Sequence, residues 1–463
     1  MVTTELINMD SCGLHAVHGA FQTGHRASGW NVNSGLRAMY GLFKDSPARR
    51  ADYIAITGSK KFPKKFCQVR WVENVDVAQR AVELLPQVQK YLKECKKLPD
   101  TLTCSNVKAL CADKLAVAKI SFFTSVGSMC EPFLRRYQTA APMAPFLYDD
   151  IAHLLRSLMT RFVKKSLIQE ADSVAKLIKI DVTHKDNRCN YKEVDIGVAA
   201  NKALEQSRVS DKDKMGFRMQ CIEFLSAATA KVVERSPLQY NIVRAISCFV
   251  PRTMVTNPTL AEKRMRDLVQ ILFNKNHISA VTADKSKMEM SALCASATAD
   301  ARFSEFTKGD DRLDTFYYNI IGQNPEYAEL FTVVRCVLIL SHGNASVESG
   351  FSVNTDMLVE NLHEESLVAQ RCVYDSVQAL GGITSVKIEK SMMQFVRGAH
   401  GRYQEALERK RQSAADNDKR AAEKRKAAQQ IKTLLTKKAL LAESAAQDSK
   451  KIDMEIAELK KLN

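Results

Sequence analysis

The chain has 463 residues, 45% of them hydrophobic and 26% charged, which excludes one small domain and suits two or three with a sizeable core. It contains no apolar run of about 18 residues, which excludes a transmembrane helix. A formal charge of +16 favours a polyanionic partner, above all nucleic acid, over an acidic or membrane-embedded role; a solvated basic surface is the alternative.

The 12 cysteines show no paired framework, and residues 1–10 lack a basic start followed by an apolar run. Both point to free thiols in a reducing, intracellular setting, with the nucleus favoured over the cytoplasm. With 18 glycines and 11 prolines and long periodic stretches, the chain reads as mainly α.

Residues 1–75 read as a minor α/β part. Leu6-Ile7-Asn8-Met9 is a short, mostly apolar run, and Leu14, Val17 and Phe21 then recur at helical spacing. Cys12 and His15 form a CxxH pair, and Arg70-Trp71 closes the segment. Residues 44–70 are basic, with Tyr53, Phe62 and Phe66 interleaved. Phosphate contact with ring stacking fits, and so does a surface segment whose rings face the core. Arg49, Arg50, Lys60, Lys61, Lys64 and Lys65 are the DNA-binding candidates.

Residues 76–312 predict a large all-helical domain. Amphipathic stretches lie at 75–94, 115–134, 146–163, 212–233, 240–250 and 260–273. Pro86 is expected to kink or split the first, and Pro132 to kink or restart the second. The polar stretch 178–192 reads as a loop or short strand pair, and 282–298 is weakly specified.

Residues 313–400 form a closing block. Leu313, Phe316 and Tyr317 lead through Asn324-Pro325 to Leu330, Phe331, Val334 and Leu338. A turn of small residues at 341–344 follows, then Val347, Glu348, Phe351 and Ser352. Gly381-Gly382 breaks the next helix, before an apolar patch of Met392, Met393, Phe395 and Val396. Residues 401–463 read as a basic helical tail with clusters Arg409-Lys410-Arg411 and Lys424-Arg425-Lys426. A heptad frame from Ile431 places Lys438, Asp448 and Glu455 among its core positions and ends on Leu462. A coiled coil and a single solvated helix therefore both remain open.

The order of these motifs resembles hAT-family transposases. Cys12 and His15 match the CxxH pair of that family, Arg70-Trp71 its RW pair, and Phe351-Ser352 the pair after its last acidic residue. Glu348 fills that acidic position; the family usually has arginine next, where this chain has Ser349. The resemblance implies a truncated RNase H-like core interrupted by the helical insertion. It also implies a homodimer formed through Leu330, Phe331, Val334, Leu338 and Val347.

An active RNase H-like site needs several carboxylates around two divalent cations. In the family the two further acids lie upstream of the CxxH pair, and neither Glu5 nor Asp10 matches them. Glu348 is therefore expected to be vestigial, with no cofactor and Mg2+ only if the site is completed from elsewhere. Cys12, His15, His18 and His25 offer zinc-ligand chemistry, but a structural site draws two ligand pairs from separated elements; packing at a helix start is the favoured reading. No GxxxxGK[ST], GxGxxG or GxSxG motif occurs, and no small-molecule substrate is expected. The sequence thus predicts a transposon-derived, catalytically inactive protein that dimerises and binds DNA. The alternatives are a helical protein–protein interaction scaffold and, third, a DDE-type DNA transposase.

Overall fold

Helical spacing of apolar residues dominates the chain, and the computed structural model is helical almost throughout. It describes residues 5–9, 12–359 and 362–460; Asp10 and Leu462 lie outside them. Among these residues no strand forms, and the only β pairing is two isolated bridges, Val163 with Arg188 and Lys308 with Asp311. The chain divides into two compact units, Met1–Val353 and Asn354–Asn463.

The first unit opens with α1 (Gly13–Ala27), α2 (Val32–Phe43) and α3 (Pro47–Thr57), then an extended segment and a 3-10 turn, Trp71–Asn74. The α/β reading of residues 1–75 is corrected by this. The periodicity of Leu14, Val17 and Phe21 continues through His25, and the short run before it stays extended with no strand to pair with. Gly35 does not break α2, because it sits directly beneath α5: a Cβ there would lie 2.9 Å from Leu110. An RNase H-like core is built on a sheet, and the described residues supply none.

Next come α4 (Val75–Glu94), α5 (Leu102–Ala112) and α6 (Ala116–Tyr137). Pro86 and Pro132 lie inside α4 and α6 without ending them. Both prolines are exposed, so each freed carbonyl faces water. In α7 (Leu147–Thr160) the buried face is Leu147, Ile151, Leu154, Leu155, Leu158 and Met159, as its spacing predicts. Two short helices follow, α8 (Lys165–Glu170) and α9 (Val174–Leu177). The polar stretch after them is a loop rather than a strand pair. Arg188 ties it down, donating to Val182 O, Thr183 O, Ser226 Oγ and Glu223.

Beyond α10 (Val198–Gln206), a Ser210–Asp213 capping box opens α11 (Asp211–Arg235). The closest approach of α1 to α11 is at Gly24, where a Cβ would lie 2.6 Å from Phe224 O and 2.9 Å from Ala228 Cβ. Aromatic rings fill the core around this contact. Phe21 meets Phe123 and Phe224 edge-on at 4.7 and 5.4 Å, and Trp30 stacks on Phe217 at 5.5 Å.

The remaining helices of this unit are α12 (Asn241–Ala245), α13 (Pro251–Thr256), α14 (Pro258–Asn274), α15 (Ala280–Ala297), α16 (Ala301–Glu305), α17 (Leu313–Ile321) and α18 (Ala328–Leu338). The weakly specified stretch 282–298 is one helix. Ser279 caps it, and the buried Ala283, Ser286 and Ala297 are small enough for α14 and α18 to pack closely. The division between units falls within α19 (Ala345–Met357).

In the second unit α20 (Glu364–Ala379) ends at Gly381 and Gly382, whose φ values of +90° and +97° require glycine. Then come α21 (Lys390–Arg397) and the 61-residue α22 (Ala399–Leu459). All twelve cysteines are free thiols, and no helix among the described residues is long and apolar enough to cross a membrane.

Candidate functional site

Three segments far apart in sequence converge in the first unit. The start of α1 supplies Cys12, His15 and His18. The extended segment and its 3-10 turn supply Arg70, Trp71 and Glu73. The turn after α18 and the first helical turn of α19 supply His342, Gly343 and Glu348.

Each segment is held by buried polar and aromatic contacts. Asn74, fully buried, accepts from Cys67 N–H at 2.7 Å and donates to Cys67 O and Trp71 O at 2.9 and 3.0 Å. It thus closes the lysine-rich segment onto the 3-10 turn. The buried Trp71 ring packs against His25 and Phe66, which leaves its neighbour Arg70 facing outward. His18 Nδ1 accepts from Val72 N–H at 3.3 Å. Burial lowers the pKa of His18 from 6.5 to about 4, further helped by Arg70 and opposed by Glu73, so the ring is a neutral acceptor. His342 is buried, donates from Nε2 to Tyr137 O at 3.1 Å, and lies 5.6 Å from the Tyr137 ring. Gly343 is needed where it stands, since a Cβ would lie 3.0 Å from Cys12 Sγ.

On this frame Arg70 bridges two carboxylates, donating to Glu348 Oε2 at 2.8 Å and to Glu73 Oε1 at 3.3 Å. His15 Nε2 stands 3.4 Å from Glu348 Oε1, and Gln138 donates to Glu73 at 3.1 Å. Partial burial opposes the charge of Arg70, but the two carboxylates outweigh it and raise its pKa. The cluster is half open to solvent, with Arg70 and Glu348 side chains 45% and 36% exposed. Each ion pair is therefore worth no more than about 1 kcal/mol.

This donor set does not fit a divalent cation. Glu348 spends both oxygens on an arginine and a histidine, and a metal ion would have to displace the guanidinium. Among the described residues no group of three His, Cys, Asp or Glu side chains could hold a metal ion. Of the zinc-ligand candidates, Cys12 packs at Gly343, His15 faces Glu348, His18 accepts a backbone N–H, and His25 lies in the core between Trp71 and Phe123.

Comparison with family models, with curated proteins and with solved structures finds no match. The site therefore has to be read on its own chemistry.

The DNA-binding candidates separate into two groups. Arg49 and Arg50 serve the fold: they donate to Leu42 O and Phe43 O at 2.7 and 2.9 Å and so cap the end of α2. Lys64 pairs with Asp76 at 3.0 Å. Lys60, Lys61 and Lys65 are exposed on the extended segment that ends at Arg70. The rings between them are not available for stacking. Tyr53 and Phe66 are buried, and Phe62 packs on Phe43 and Tyr53. Pro63 and Phe66 point inward, which turns the alternate lysines out as a ledge.

The dimerisation candidates also divide. Leu330 and Val334 are fully buried within α18's own unit, and Phe331 and Leu338 pack at the edge of that core. Leu330 and Val334 therefore have no free face for a second copy, because α15 already covers them. Val347 and Phe351 are exposed on α19, as is Ser352.

Proposed function

We propose that this chain is a transposase-derived protein of the hAT type that no longer performs strand transfer, self-associates, and holds DNA on its lysine ledge. The observation that carries this reading is the convergence of the motif residues. Arg70 and Glu348 are 278 positions apart and share a hydrogen bond, with the CxxH histidine beside them. Three independent motifs of a resemblance meet at one place, which chance spacing does not explain.

In this reading the carboxylate has changed its work. Glu348 anchors Arg70, and Arg70 fixes the end of the ledge whose Lys60, Lys61 and Lys65 would meet phosphates. The basic clusters of α22 add positive charge and a nuclear address. Mg2+ would enter only with carboxylates from outside these residues. A DDE-type transposase stands third for that reason.

The test is retardation of a short duplex across a salt series. Binding should weaken steeply with salt through counterion release, at about 0.9 in log–log slope per phosphate contacted. Replacing Lys60, Lys61 and Lys65 with Glu should flatten that slope by about 3. If the wild-type chain shows no retardation at low salt, the DNA reading is wrong. The second reading, an interaction scaffold without DNA, would then take its place. The many exposed apolar side chains of the second unit, Val368, Val373, Ile383 and Phe395 among them, favour that alternative.

A further inference from the structure

The second unit ends in a helix with no partner of its own. From Glu408 onward every described side chain of α22 is exposed, along a helix about 90 Å long at 1.5 Å per residue. Its apolar side chains are nevertheless not scattered. Leu434, Ala445 and Ile456 recur every eleven residues, and so do Leu441 and Ile452, and Lys438 and Ser449. Leu435, Ala446 and Ala457 follow the same period one position on. An eleven-residue repeat closes in three turns and keeps a nearly straight stripe on one face. The seven-residue frame places three charged residues in its core. The eleven-residue frame, running Leu434, Lys438, Leu441, Ala445, Ser449, Ile452 and Ile456, places only Lys438 there.

The charges beside the stripe are arranged with a direction. Lys432, Lys437 and Lys438 stand at one end; Asp453, Glu455 and Glu458 stand at the other. Turning a second copy end for end about Ala445 sets Lys432 opposite Glu458 and Lys437 opposite Asp453. The same operation sets Leu434 opposite Ile456 and Leu441 opposite Ser449. A parallel pair in register would instead align lysine with lysine and acid with acid, which is repulsive. Ala442, Ala445 and Ala446 fall at the centre, where small side chains let two backbones approach.

We infer that α22 pairs with α22 of a second copy, antiparallel and centred on Ala445. This assignment rests on the proposed self-association and names its element; it does not depend on DNA. It also moves the interface away from Leu330 and Val334, which are core.

Sedimentation of the full chain at micromolar concentration tests it, with circular dichroism to check that each variant keeps its helix. Lys432→Glu with Lys437→Glu should raise the dimer dissociation constant at least about tenfold. Asp453→Lys with Glu458→Lys should do the same. An equal mixture of the two variants should recover the dimer, because every opposed pair is then complementary. Recovery on mixing cannot come from a misfolded chain. If the wild type is a dimer and both variants remain as tightly dimeric as it is, or the mixture stays monomeric, the antiparallel assignment is overturned while self-association stands. A monomeric wild type overturns both. Direction is read separately in a Cys372→Ser background. A mixture of Lys438→Cys and Ile452→Cys chains should form mixed disulfides on oxidation, and pure homodisulfides would overturn the antiparallel order.

Discussion

Replacing His25 with phenylalanine should make the first unit resistant to mild acid. His25 lies on the buried face of α1, 5.2 Å from the Trp71 ring and 6.0 Å from the Phe123 ring, and its Nε2 has no hydrogen-bond partner. Burial, assisted by Arg26, lowers its pKa from 6.5 to about 4. The unfolded chain takes up this proton near 6.5 and the folded chain does not until near 4. The stability contributed by the neutral ring is therefore complete above about pH 6.5 and is lost as pH falls towards 4, at up to 1.36 kcal/mol per pH unit. That amounts to about 3 kcal/mol for His25, and His18, also held near 4, adds a similar loss. Together they rival the whole stability of an ordinary domain, about 5–15 kcal/mol. Phenylalanine keeps the shape and removes the proton site, so His25→Phe should cost under about 1.5 kcal/mol at neutral pH and remove about half of the loss. The assay is urea unfolding at a series of pH values, followed by tryptophan emission. Trp30 and Trp71 are the two tryptophans and both are buried in the first unit, so the signal reports that unit alone. If the variant loses stability between neutral pH and about 4.5 as steeply as the wild type, the neutral buried ring is not the source of acid sensitivity.

Gly24→Ala should lower stability by about 1–3 kcal/mol in thermal unfolding, because the added methyl meets the backbone of α11. Gly19→Ala, with nothing within 4 Å of the added carbon, should lack that penalty. Glu348→Gln should change stability by less than about 1 kcal/mol and should not weaken duplex binding, since it removes a negative charge beside the ledge. A large loss of binding in that variant, measured by retardation at fixed salt, would mean that the carboxylate itself is used.

Helices with long, strongly periodic apolar faces were legible from spacing alone, as α7 and α14 illustrate. Spacing fails where the apolar face is built from small residues. In α15, Ala283, Ser286 and Ala297 are buried because neighbouring helices come close, and nothing local announces that. Residues 44–70 misled in another way. Their aromatic rings alternate with lysines, and only tertiary packing decides that the rings go in and the lysines out. Arg49 and Arg50 are indistinguishable in sequence from Lys60 and Lys61, yet the arginines close a helix end and the lysines face solvent. The convergence of His15, Arg70 and Glu348 has no local signature at all. The motif resemblance grouped those residues, and Glu73 and Gln138, which complete the cluster, belong to no motif.

The pairing of α1 with α11 sets a timetable for synthesis. The surface that covers Leu14, Val17 and Phe21 belongs to residues made about 200 positions later, an interval of about 10–40 s at ribosomal speed. Throughout that wait the first helix to emerge carries an apolar face with nothing to bury it. A nascent chain stalled before residue 211 should therefore recruit holdase chaperones or aggregate, and release of that surface should coincide with the emergence of α11.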